Sequence, residues 1–165
     1  TNFTNHPSVL AGTPTVGNVI IGTRVINTQL TINSTLTVVS SFTLQNSPNA
    51  NFTATVAGNG LLVADNVIIG DNIPATTGSS STNVTTLTQT LNQIQVNGAV
   101  VLNGGYTALA SPNYSVNNSL LQVQSGKTLT VSEIRSFNKS TLNRANIVLN
   151  GGILKATGAN ISIQY

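Results

Sequence analysis

The chain of 165 residues contains no cysteine, no methionine and no tryptophan. Without thiols there are no disulfides and no cysteine nucleophile, so cohesion falls to packing and backbone hydrogen bonds. Charge is also scarce: 5% of residues are charged, against about 25% in an ordinary soluble domain. The acids are Asp65, Asp71 and Glu133; the cations are Arg24, Lys127, Arg135, Lys139, Arg144 and Lys155. His6 is the one histidine and sits beside Pro7, so a catalytic triad or a histidine metal centre lacks its raw material. A carboxylate pair for glycoside chemistry would need Asp65 and Asp71 to face each other, and no pattern arranges that. Gly104-Gly105 and Gly151-Gly152 read as turn glycines rather than phosphate loops, because no helix pattern or Lys-Ser/Thr follows them. These absences predict a protein that is not an enzyme and uses no cofactor. A weak calcium site at Asp65, Asp71 and Asn72 is the one metal reading, against the plainer one of turn residues at the two ends of a strand.

No apolar run reaches the roughly 18 residues that cross a bilayer, so no direct membrane span is expected. The net charge of +3 and pI of 9.7 rest on six cations, five of them between Lys127 and Lys155. Three Tyr and four Phe are spread thinly along the chain, which is a poor basis for nucleic-acid binding. With so few carboxylates to protonate, acid removes few ion pairs, and the formal charge rises only to about +7 at pH 2. An acid-tolerant exterior follows, although a charge-poor surface protein from a neutral habitat has the same composition.

Neutral polar groups take the place of charge: 23 Asn, 24 Thr and 16 Ser. Val, Ile, Leu and Thr alternate with polar residues in short runs such as 29–32, 35–38, 93–96, 127–131 and 160–163. Period-two alternation of β-branched residues predicts strands. Asn59-Gly60, Asn97-Gly98, Asn103-Gly104-Gly105 and Asn150-Gly151-Gly152 read as tight turns, because both residue types tolerate positive φ. A helix over 85–93 is the single exception, on a Thr-rich stretch of low propensity.

The chain also repeats itself. Asn18-Val19-Ile20-Ile21-Gly22 recurs at 66–70, Thr35-Leu36-Thr37-Val38 at 128–131, and Val101-Leu102-Asn103-Gly104-Gly105 at 148–152. The separations are near multiples of about 23 residues, a spacing that fits repeat architectures. Two all-β architectures produce it. The preferred one is a β-sandwich of successive hairpins, pilin-like, of jelly-roll or immunoglobulin type, with an extended N-terminal strand. The alternative is a right-handed parallel β-solenoid of about 23-residue coils. The polar stretch 71–86 reads as a loop and favours the sandwich.

Two segments are expected: an N-terminal arm over 1–32 and a β-rich head over 33–165. The chain starts at Thr1, as a processed chain would. Behind a polar leader with Pro7 and Pro14, Val19, Ile20, Ile21, Val25, Ile26, Leu30 and Ile32 form alternating apolar faces. Such a strand suits β-strand addition to a second copy, in which ladder bonds give affinity and alternate side chains fill pockets. It equally suits an ordinary first strand of its own domain. At the other end, the strand-like run 159–164 has no charge or proline to blunt its edge, which suits end-to-end assembly.

Asn-X-Ser/Thr acceptors for N-glycans occur at Asn2, Asn33, Asn51, Asn83, Asn113, Asn117, Asn138 and Asn160. Asn33 and Asn160 lie in strand-like runs and read as the weakest. A Lys–Asn isopeptide crosslink promoted by a carboxylate is a further candidate, from Lys127, Lys139 or Lys155 with Glu133.

A processed N-terminus, Thr/Asn/Ser-rich strands, dense Asn-X-Ser/Thr and near absence of charge together resemble the extracellular thread-type, donor-strand pilins of thermoacidophilic archaea. That resemblance implies an N-terminal strand inserted into the next subunit and a glycosylated exterior. The phrase Val148-Leu149-Asn150-Gly151-Gly152 resembles β-helical surface adhesins and autotransporter passengers. The function expected is a secreted structural subunit that self-assembles into a cell-surface filament for adhesion or biofilm. A β-helical binding module, a viral structural protein and, last, a pectin-lyase-type enzyme are the alternatives.

Overall fold

A computed structural model describes residues 2–3, 8–10, 12–22, 27–45, 50–70, 81–103, 105–108, 114–137 and 145–164. These form sixteen strands and, among the described residues, no helix. In chain order they are β1 (Asn2–Phe3), β2 (Ser8–Leu10), β3 (Thr15–Val16), β4 (Val19–Ile21), β5 (Thr28–Ile32), β6 (Thr35–Leu44), β7 (Phe52–Ala57) and β8 (Leu61–Ile69). Then follow β9 (Ser81–Gln89), β10 (Gln93–Asn103), β11 (Gly105–Ala108), β12 (Tyr114–Gln124), β13 (Thr128–Phe137), β14 (Ala145–Asn150), β15 (Ile153–Ala156) and β16 (Ser162–Gln164). The helix expected over 85–93 is instead the end of β9 and the start of β10. Thr85, Leu87 and Gln89 point inward at period two, which a strand provides and a helix does not.

Successive long strands alternate between two sheets. A nine-stranded sheet runs β1-β4-β6-β8-β10-β13-β15, with β3 beside β6 and β16 beside β13; a seven-stranded sheet runs β11-β12-β9-β7-β5-β2, with β14 beside β12. Among the described residues every strand pair is parallel except β11–β12. Parallel ladders correct the expectation of hairpins, since jelly-roll and immunoglobulin sandwiches pair their strands antiparallel. The Asn-Gly signals have another use. Asn97-Gly98 lies inside β10, where the register with β8 and β13 shifts and the strand bends. A side chain on Gly98 would press into the Asp65 carbonyl and the Asn66 amide, so only glycine fits that bend.

Parallel registry stacks like positions into columns. One runs Val19, Phe42, Val67, Val100, Ile134, Ile163. A second runs Leu36, Leu62, Ile94, Leu129, Leu154. On the other sheet a third runs Thr28, Ala54, Leu87, Leu121, Ile147 and a fourth Leu30, Val56, Gln89, Val123, Leu149. These inward columns form one continuous core between the sheets, so each strand buries its apolar face on the strands before and after it. The step between neighbours is not uniform: Val19 to Phe42 is 23 residues, Val67 to Val100 is 33.

Two of the three sequence repeats are structural equivalents. Val19 and Val67 share a column, as do Leu36 and Leu129. The third pair is not equivalent, because Val101 and Leu102 belong to the nine-stranded sheet and Val148 and Leu149 to the other.

Asparagine holds the bends between columns. The side-chain carbonyl of Asn18 accepts the backbone N–H of Ser41 at 3.2 Å, that of Asn27 accepts Thr53 at 3.0 Å, Asn51 accepts Val84 at 2.9 Å and Asn66 accepts Ala99 at 3.1 Å. Each satisfies an N–H one ladder step further on, at a place where backbone pairing is interrupted. Two polar links also cross the core. Buried Gln89 donates to the carbonyls of Leu91 and Thr128, and buried Ser119 donates to the carbonyl of Ile69.

Candidate assembly interface

The columns end unevenly. In the Val19 column every member down to Ile134 is at most 8% exposed, whereas Ile163 is 64% exposed. In the Leu30 column, Val123 is fully buried and Leu149, its neighbour, is 44% exposed. Ile163 and Leu149 continue these inward columns, and among the described residues no strand lies beyond them. Between the two sheets this end opens into an apolar groove of about 470 Å³, lined among others by Leu102, Ile134, Ala145, Ile147, Leu149 and Ile163. Val148 and Ile153 are exposed on the outward faces of β14 and β15.

Strand edges flank the groove. Among the described residues no further strand stands beside β14, β15 and β16, and β1 and β2 lie at the opposite side of the same two sheets. Proteins usually blunt such edges with charge or proline. Of these five strands only β15 carries a charged residue, Lys155.

The seven expected joining residues separate. Val19 and Ile21 are buried on β4, Leu30 and Ile32 on β5, all within the core of their own chain; Ile20 is partly exposed on the outward face of β4. Val25 and Ile26 lie outside the described residues.

Among the glycan acceptors, Asn33, Asn51 and Asn160 are exposed and lie in turns or links rather than in strands. Their apparent weakness at 33 and 160 came from reading a turn and a link as strand. Asn83 is 6% exposed within β9. Asn2 and Asn117 sit on β1 and β12; Asn113 and Asn138 lie outside the described residues.

For the crosslink candidates, Lys127 donates a 2.9 Å hydrogen bond to the side-chain oxygen of Asn92. Glu133 stands six residues further along β13, roughly 20 Å away on an extended strand. Its Oε2 accepts from Arg135 Nη2 at 2.7 Å, which holds the Glu133 carboxyl below the usual carboxylate range and the Arg135 guanidinium above its own; its Oε1 is buried without a hydrogen-bond partner. Lys155 is exposed on β15 and Lys139 lies outside the described residues. Asp71, Asn72 and His6 also fall outside them, and no group of three or more His, Cys, Asp or Glu gathers among those described. Among the described residues no helix is long and apolar enough to cross a membrane.

Sequence order gave no sign of the uncovered groove. Its lining residues carry the same alternation as fully buried positions, and only the end of the ladder distinguishes them. Compared with known proteins, the chain matches no family model, no curated protein and no solved structure.

Proposed function

We propose that this chain is a secreted structural protein of a cell surface, wound as a parallel β-solenoid, whose copies join by β-strand addition into an adhesive filament. The change from a buried Ile134 to an exposed Ile163 in one column carries the reading. An apolar column end flanked by nearly uncharged edges favours association over solvation. Alternation of successive strands between two parallel sheets supports the solenoid over a hairpin sandwich. Glycans at Asn33, Asn51 and Asn160 would hydrate a surface with little charge. In this reading the protein works through its shape and its ends, without a reaction to catalyse. Negative-stain electron microscopy of the purified protein tests it: unbranched fibres one molecule wide are expected, and dispersed particles at every concentration would contradict it.

A second reading is a β-helical adhesin module. It draws on the outward column Gln29, Thr55, Thr88, Gln122, a row of neutral hydrogen-bonding side chains suited to a sugar or a cell surface. That module would bind glycans as a monomer, which a glycan array separates from polymerisation.

A further inference from the structure

Charge is not spread evenly over the two sheets. No Asp, Glu, Lys or Arg stands on any strand of the seven-stranded sheet. Among the described residues every charged side chain belongs to the nine-stranded sheet or to the turn that leads into it. The three described cations gather on two adjacent strands. Lys127 immediately precedes β13, Arg135 lies further along it, and Lys155 on β15 is the ladder partner of Thr130. Lys127 and Arg135 stand about 26 Å apart measured along the strand, with the Lys155 position between them. Lys127 uses one of its three N–H bonds on Asn92 and Arg135 one of its five on Glu133, so both keep donors to spare; Lys155 is exposed. Asp65 lies on β8, two strands from β13. On the same outer face Gln93 and Gln95 stand beside Thr128 and Thr130 in ladder register, all four partly exposed.

We propose that the outer face of β10, β13 and β15 binds a linear polyuronate, an acidic polysaccharide, with the cations on its carboxylates and the Gln and Thr side chains on its hydroxyls. The inference goes beyond the filament reading and does not rest on polymerisation, because one chain supplies the whole surface. Charge complementarity argues for a polyanion. Residues 127–155 hold five cations against the single acid Glu133, whereas residues 1–126 hold Arg24 against Asp65 and Asp71. The net positive charge of the chain therefore comes from one stretch, and its described members face one side. Cations spread over about 26 Å do not converge on one small anion, so an extended polymer fits the strip. A sugar polymer is favoured over nucleic acid because the cations alternate with neutral hydrogen-bonding groups. Among the described side chains the aromatic rings, Phe42 and Phe52, are buried, so neither can stack on a base.

Retention of the full chain on agarose carrying polygalacturonate tests this, beside plain agarose and agarose carrying double-stranded DNA. The intact protein is expected to bind the polyuronate at low salt, to be released as salt rises, and to pass through plain agarose. Lys127→Gln/Lys155→Gln should bind at least about tenfold more weakly, with an unchanged circular dichroism spectrum. Lys155→Glu, which leaves the Lys127–Asn92 hydrogen bond in place, should weaken binding as well. Gln29→Ala/Gln122→Ala, on the uncharged sheet, should bind as the intact chain does. No retention on polyuronate, equal retention of the lysine variants, or tighter retention on DNA would overturn the proposal. Electron microscopy of the same samples keeps the two readings apart. Fibres of the intact chain that bind polyuronate support both; binding by dispersed particles supports this surface and contradicts the filament.

Discussion

Ile163 lies beside Ile134 in parallel register, yet the first is mostly in water and the second almost wholly out of it. Ile134 has a paired strand on each side, β10 and β16, whereas Ile163 among the described residues has only β13 beside it. Ile163→Lys should therefore leave the chain's own stability nearly unchanged, because little apolar area is lost, and should abolish self-association. Thermal melting and light scattering of the same sample check both halves.

Truncation at the opposite end provides an independent prediction. Deleting residues 1–11 removes β1 and β2 but keeps Val19, Ile21, Leu30 and Ile32 in the core. The truncated chain should fold and stay unpolymerised. It should also fail to add to growing ends of intact protein, measured by turbidity after seeding.

Phe42 is fully buried, stacked between Val19 and Val67 in its column. Phe42→Ala removes an aromatic ring from a close-packed site and should destabilise by about 3–5 kcal/mol. Urea unfolding followed by circular dichroism measures it, against Ile163→Ala as a substitution expected to have little effect.

The asparagine latches predict a smaller cost. Asn66→Ala leaves the N–H of Ala99, a residue only 2% exposed, without its acceptor. The expected loss is about 1–3 kcal/mol. Asn51→Ala should cost less, since that site is more exposed.

Acid should have a limited effect. Arg135 lowers the Glu133 carboxyl, so the stability contributed by that pair is present above the unfolded carboxylate value near 4.3 and is lost as pH falls through the lower folded value. The melting temperature should be flat between neutral pH and about pH 5, with the Glu133-dependent decline only in stronger acid. Glu133→Gln should remove that decline in a pH series of melts.

How much of this was legible from residues alone depends on what period-two alternation encodes. It marks strands and their alternating faces, so Leu36, Ile94 and Leu129 stood in runs readable as strands. It does not encode the direction of pairing, because parallel and antiparallel ladders share the same alternation. Asn97-Gly98 therefore suggested a hairpin where the chain only bends. Gln89 was invisible as a core residue: it follows Thr88 in a polar run, and only the fold places Leu91 and Thr128 carbonyls within its reach. The uncovered end was hidden for a related reason, since Ile163 and Leu149 have the pattern of buried residues.

Sedimentation velocity of the intact protein over a range of concentrations, beside the Ile163→Lys/Leu149→Lys variant, addresses the central claim most directly. The account predicts a growing series of linear oligomers for the intact chain and a single folded monomer for the variant. Identical monomers for both, at all concentrations, would contradict it.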